Sequence, residues 1–173
     1  MHLIGFELDR LEKHLLTLTA VVEESVQLAI KALEDCNYDL AKKVVDNDAQ
    51  VNRMEVELEE ECLKVLALHQ PVANDLRIIV AILKINNDLE RIGDEAKRIA
   101  RMVQEELNGA LTEDVRHELE HMGELVGRML RMVLDAFARS DIATAREVFR
   151  ADHKVDVKYI SITRHLMTYM AED

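Results

Sequence analysis

Two rows of acidic and amide side chains hold most of the chemistry this chain can offer. Asn87, Glu90 and Asp94 follow one another at intervals of three and four, which puts them on one face of a helix. Asp48, Asn52, Glu55 and Glu59 repeat the pattern at intervals of four, three and four. A donor set made only of oxygen suits hard cations, and Fe, Mn, Mg and Ca are the metals to expect. Like charges gathered this closely are unfavourable unless something positive joins them. A metal ion can supply that charge. So can the basic side chains one turn away, Arg91, Lys97, Arg98 and Arg101, as a solvated ion-pair network. The two helices that carry the rows lack the Glu-x-x-His pairs of redox di-iron bundles, because the third helix has no His and the second has only His69, far from its row.

The elements that must carry these rows are helices. Apolar residues recur at spacings of three and four through nearly the whole chain, with few breaks. Helices are expected over about residues 7–35, 38–69, 72–107, 112–139 and 141–173. Pro71 is tolerated in a first turn. Gly109 can end the third helix, Thr112 caps the fourth ahead of Glu113 and Asp114, and Ser140 or Asp141 caps the fifth. Loops this short force antiparallel neighbours. The fold class is all-α.

Composition agrees and narrows the function. The chain has 173 residues, 49% of them hydrophobic but only 3% aromatic, with one Pro and five Gly. That profile favours long helices over sheet and excludes a disordered chain. A net charge of −12 without a compact Lys/Arg cluster excludes a nucleic-acid binder. Cys36 and Cys62 make no CxxC motif and are expected to be buried reduced thiols. "MHLIGFELDR" lacks the pattern of a signal peptide, and "IIVAIL" (78–83) falls far short of the ~20 apolar residues of a membrane span. A soluble, cytoplasmic protein without membrane insertion is expected.

The chain also repeats itself. "ALEDCNYDLAKKVVDNDAQVN" (32–52) aligns without gaps to "AFARSDIATAREVFRADHKVD" (136–156), and each contains a helix end, a turn and a helix start in the same register. The match pairs Asp48 with Asp152 and Asn52 with Asp156. The counterpart of the third helix would begin beyond Asp173, so residues 1–108 read as a three-helix bundle and 109–173 as two-thirds of another. Helices four and five then carry an uncovered apolar face, including Val126, Val133, Phe137, Val148, Ile160, Ile162 and Met167. Burying that face is worth roughly 25 cal/mol per Å². The second half is therefore expected to complete itself against another chain or to dock onto the first bundle.

Residues equidistant from the turn near Pro71 lie at similar heights on helices two and three, within about a helical turn. Asp48 comes level with Asp94, and Asn52 with Glu90. The same construction brings Glu23 and Glu24 of helix one to that height. On a helical wheel the Asn87/Glu90/Asp94 row lies away from the stripe of Ile85, Leu89, Ile92, Ala96 and Ile99. Gly93 is expected to leave room for whatever occupies the groove between the rows.

At these residues the chain resembles the PhoU family of phosphate-uptake regulators. "HQPVANDLR" (69–77) and "LKINNDLERIGDEAKRIA" (83–100) are similar to the family's third-helix signature, with its Glu/Asp-x-x-x-Asp at Glu90 and Asp94. "DNDAQVNRMEVELEEECLKVLAL" (46–68) is similar to its second helix. Glu95 and Arg98 depart from the His and Asn common in members. The resemblance implies tandem three-helix bundles, the second here incomplete. It implies metal clusters at the acidic motifs, hence Asp48, Asn52, Glu55, Glu90 and Asp94, with Asp152 and Asp156 remaining from a second site. It also implies negative regulation of phosphate uptake and signalling by a non-enzymatic adaptor between a phosphate transporter and a sensor histidine kinase. A homodimer is the expected assembly. The alternative is a carboxylate-ligated bundle with metalloenzyme or metal-storage activity.

Overall fold

The computed structural model describes residues 3–105 and 112–172, which form five helices: α1 (Leu3–Glu34), α2 (Tyr38–His69), α3 (Ala73–Glu105), α4 (Glu113–Arg139) and α5 (Ile142–Glu172). Their ends follow local chemistry. Asn37 caps α2, its side chain accepting from the amides of Asp39 at 3.0 Å and Leu40 at 3.1 Å. Gln70 closes α2 in the left-handed conformation, which leaves Pro71 in the turn before α3. Thr112 caps α4 through the amide of Val115. At the next turn Ser140 closes α4 in the left-handed conformation, and Asp141 caps α5 by accepting from Ala143 and Thr144. Gly109 and the 108/109 boundary lie outside the described residues.

Helices α1, α2 and α3 pack mutually. Their core holds Leu11, Leu15, Leu18, Leu58, Ile79 and Ile82 fully buried, each contributing roughly 1.5–3 kcal/mol. Towards the α1–α2 turn the packing residues become small, with Ala29, Ala32, Ala41, Ala96 and Ala100 buried together, so the helices approach closely there. Glu61 ties α2 to α1 at the other end, with Arg10 at 3.0 Å and His14 at 3.3 Å.

Burial alone would raise the Glu61 carboxyl, but hydrogen bonds and charge from Arg10 and His14 outweigh it and hold the group below the usual carboxylate range. A depressed carboxyl stabilises the fold above the unfolded value of about 4.3 and loses that effect as pH falls through the folded value. Glu61→Gln should therefore lower the melting temperature at neutral pH. The difference from wild type should close progressively below about pH 4.3, and a gap that widens in acid would contradict the assignment.

Helix α4 packs on α5 and on α1, and among the described residues α5 contacts α4 alone. The hairpin thus docks onto the first bundle, one of the two outcomes anticipated. Gly123 allows it: a Cβ there would lie 2.9 Å from Ile30 of α1. Leu130, Leu134 and Phe137 then reach the first core, while Ile162 is buried between α4 and α5. Val126, Val133, Ile160 and Met167 remain exposed. A cleft of about 710 Å³ separates α3 from α4, lined by Ile78, Ile85 and Ile92 on one side and Val133, Leu134 and Phe137 on the other. No described helix is long and apolar enough to cross a membrane.

The two cysteines differ, contrary to the expectation of two buried thiols. Cys62 is buried, and its thiol is pushed up to about 11 by burial and by Glu61 and Glu59. Cys36 is exposed, because the α1–α2 turn needs a residue at φ 47° and turns it outward. Iodoacetamide at neutral pH should label Cys36 rapidly and Cys62 only after unfolding, as read by peptide mass. Equal labelling of both in the native protein would contradict this.

Candidate functional site at the seam of the second and third helices

The anticipated register holds to within a turn. Glu55 lies against Asn86, Val51 against Gly93 and Asp48 against Lys97, so α2 and α3 run antiparallel with their polar rows beside one seam. Asp48 is buried, Asn52, Glu55 and Glu90 are half-buried, and Asn87, Asp94 and Glu59 are exposed.

Lys97 reaches across from α3 and pairs with Asp48 Oδ2, the ion-pair outcome at this one position. Asn52 Nδ2 donates to the same oxygen at 3.3 Å. Asp48 Oδ1 and Asn52 Oδ1 are buried without hydrogen-bond partners. Burial raises the Glu90 carboxyl first, and the charges of Asp94, Glu55 and Asp48 raise it further. Glu55 is raised by burial and by Glu59. The seam therefore concentrates negative charge that a cation would relieve.

One contributor was not apparent in the polar rows. Asn86 is 1% exposed, and its Nδ2 donates to the Glu55 backbone carbonyl at 2.9 Å. Its own Oδ1 has no partner. The available signal was its place on the line Ile79, Ile82, Asn86, Leu89, Gly93, Ala96 and Ala100, all buried at intervals of three and four. A polar residue on a core line fixes register. Gly93 belongs to that line too, which corrects the role expected for it. A Cβ at Gly93 would lie 3.2 Å from Val51 Cγ1, so the glycine makes room for α2 and not for a bound group.

Other anticipated contributors stand apart. Glu23 accepts from Gln27 on its own helix, Glu24 is exposed, and neither is among the charges acting on Glu90. Asp152 and Asp156 are exposed on α5, which among the described residues contacts only α4. Among the described residues, no group of three or more His, Cys, Asp or Glu stands close enough to hold a metal ion. The unpartnered buried oxygens of Asp48, Asn52 and Asn86 are the feature that suits a hard cation.

The family profile described as the PhoU domain matches residues 15–103, which take in most of α1–α3, and again residues 119–173 of α4 and α5. The chain belongs to the PhoU family. It is 42% identical over 167 residues to the phosphate-specific transport system accessory protein PhoU of Edwardsiella tarda, covering 96% of this chain and 68% of that protein. The Escherichia coli protein of the same name is also 42% identical over 167 residues, with 96% and 69% covered. The crystal structure of PhoU from Pseudomonas aeruginosa superposes with a TM-score of 0.93 at 41% identity, covering 98% of this chain and 81% of that one. The phosphate transport system regulatory protein PhoU from Streptococcus pneumoniae superposes at 0.90 and 29% identity, over 98% and 80%. The PhoU fold is thus shared across the five helices.

Proposed function

We propose that this chain regulates phosphate transport and that the α2–α3 seam is the part of its first repeat that takes up a cation. The match of the PhoU domain to both helical repeats, with 42% identity to named accessory proteins of phosphate-specific transport, carries the first statement. The finer role is that of a non-catalytic cytoplasmic adaptor between a phosphate transporter and its sensor histidine kinase, restraining uptake when phosphate is plentiful, with a homodimer as the working unit.

The cation is supported by the donor chemistry of the seam. Asp48, Asn52, Glu55, Glu90 and Asp94 would hold it once their side chains are drawn together, since no three carboxylates among the described residues stand close enough without it. Its charge would offset the neighbouring carboxylates that add to the effect of burial on Glu90. Iron, manganese and magnesium all accept such oxygen donors. Asp152 and Asp156 would supply part of a second site once a further helix faces α5. Elemental analysis of protein purified without chelator or affinity metal should find bound Fe, Mn or Mg that is lost in Glu90→Ala/Asp94→Ala. Metal-free protein that still regulates phosphate uptake would overturn the cation and leave the regulator standing. A phosphate-responsive reporter that ignores loss of the gene would overturn the regulator.

A further inference from the structure

The outward faces of α2 and α5 carry the same apolar line. On α2 it comprises Tyr38, Val45, Val56 and Leu63, and on α5 Ile142, Phe149, Ile160 and Met167, each pair 104 residues apart in the internal repeat. At 3.6 residues per turn, all four members of each line fall within about 20° of one another. The α5 line is the more exposed, with Phe149 85% and Met167 65% accessible. A third helix set on α5 as α3 is set on α2 would cover the positions of Asp152, Asp156 and Tyr159. It would leave this line open, as α3 leaves Tyr38, Val56 and Leu63 exposed.

What differs between the two lines is charge. On α2, Lys42 beside the line is paired with Asp46 at 2.5 Å, and Glu60 stands farther along. On α5 the positions of Lys42, Asp46 and Glu60 hold Arg146, Arg150 and Arg164, all exposed. None of these three arginines makes an ion pair among the described residues. Arg164 also borders an open depression of about 460 Å³ with Val157, Ile160, Ser161 and His165, the last paired with Glu118. In a chain of net charge −12 these arginines form a local cationic strip along one side of the apolar ridge, with the exposed carboxylates of Asp152 and Asp156 along the other.

We propose that the outer face of α5 docks onto an anionic lipid surface. The line extends roughly 38 Å along one straight helix at a rise of 1.5 Å per residue. Among the described residues it has no second wall to seat a partner helix, so a flat partner fits it. Phe149, Val157, Ile160 and Met167 enter the interface between headgroups and acyl chains, while Arg146, Arg150 and Arg164 meet lipid phosphates. The α2 line lacks the cationic flank and serves as an internal control. The docking does not depend on the phosphate role.

Co-sedimentation of the full chain with phosphatidylcholine vesicles, with and without phosphatidylglycerol, tests it. Binding should require phosphatidylglycerol and fade at high salt. It should fall by about tenfold or more in Phe149→Asp/Met167→Asp and in Arg146→Glu/Arg150→Glu, and stay unchanged in Val56→Asp/Leu63→Asp. Equal binding to both vesicles, no binding to either, or equal loss in the α2 variant overturns the proposal. So does an oligomer, seen by sedimentation velocity without vesicles, that only the α5 variants dissociate, since the face would then belong to a second copy.

Discussion

Lys97→Met should destabilise the chain by roughly 3 kcal/mol, because it leaves a buried carboxylate without its cation. Asp48 is 6% exposed and receives only Lys97 and Asn52, one of its oxygens already having no partner. The methionine keeps the length and apolar stem of the lysine, so the loss isolates charge from packing. Urea unfolding should show it as a lower midpoint at unchanged slope. Combining Lys97→Met with Asp48→Asn removes the stranded charge and should recover most of the loss, which a purely steric effect would not. The same pair links stability to the proposed cation, since ammonium and metal compete for Asp48. Added Mn or Mg should therefore raise the melting temperature of Lys97→Met more than that of wild type. An equal response in both proteins would separate Asp48 from any metal site.

Gly93→Leu should cost about 2–3 kcal/mol by forcing α3 away from Val51, whereas Gly93→Ala should lie within about 1 kcal/mol of wild type. The difference follows from two opposing terms. A Cβ alone meets Val51 Cγ1 at 3.2 Å, which a shift of a few tenths of an ångström relieves. Alanine also gains up to about 1 kcal/mol of helix propensity over glycine. Leucine adds further carbons against Val51, which is itself 1% exposed and has nowhere to retreat. Val51→Ala should rescue Gly93→Leu in part, and a double-mutant cycle would show coupling. Additive losses would mean that the two residues do not touch.

Much of the architecture was legible because helical periodicity and capping are local. Thr112 and the turn at Pro71 set helix ends within a residue or two, and the distance to Pro71 placed Asp48 and Asn52 within a turn of the part of α3 they face. The choice between Ser140 and Asp141 resolves into both, one ending α4 and the other starting α5. The chemistry was harder to see, because α3 has two apolar sides and one wheel cannot tell which is the core. The stripe read from the sequence, Ile85, Leu89, Ile92, Ala96 and Ile99, mixes the two sides: Ile85 and Ile92 border the cleft towards α4, while Leu89 and Ala96 belong to the buried line. The true core line contains Asn86 and Gly93, whose residue types conceal it. With that line in place, Asp94 turns to solvent while Glu90 stays half-buried, which no spacing rule distinguishes. The exposure of Cys36 depends on a left-handed turn residue that composition does not announce.

Phosphate uptake in cells lacking the gene, complemented either by the wild-type chain or by Glu90→Ala/Asp94→Ala, tests the whole account most directly. In high phosphate the wild-type chain should restore low uptake and the double variant should fail to do so despite folding normally. Uptake that is the same with the gene, without it and with the variant would contradict a regulator acting through the α2–α3 seam.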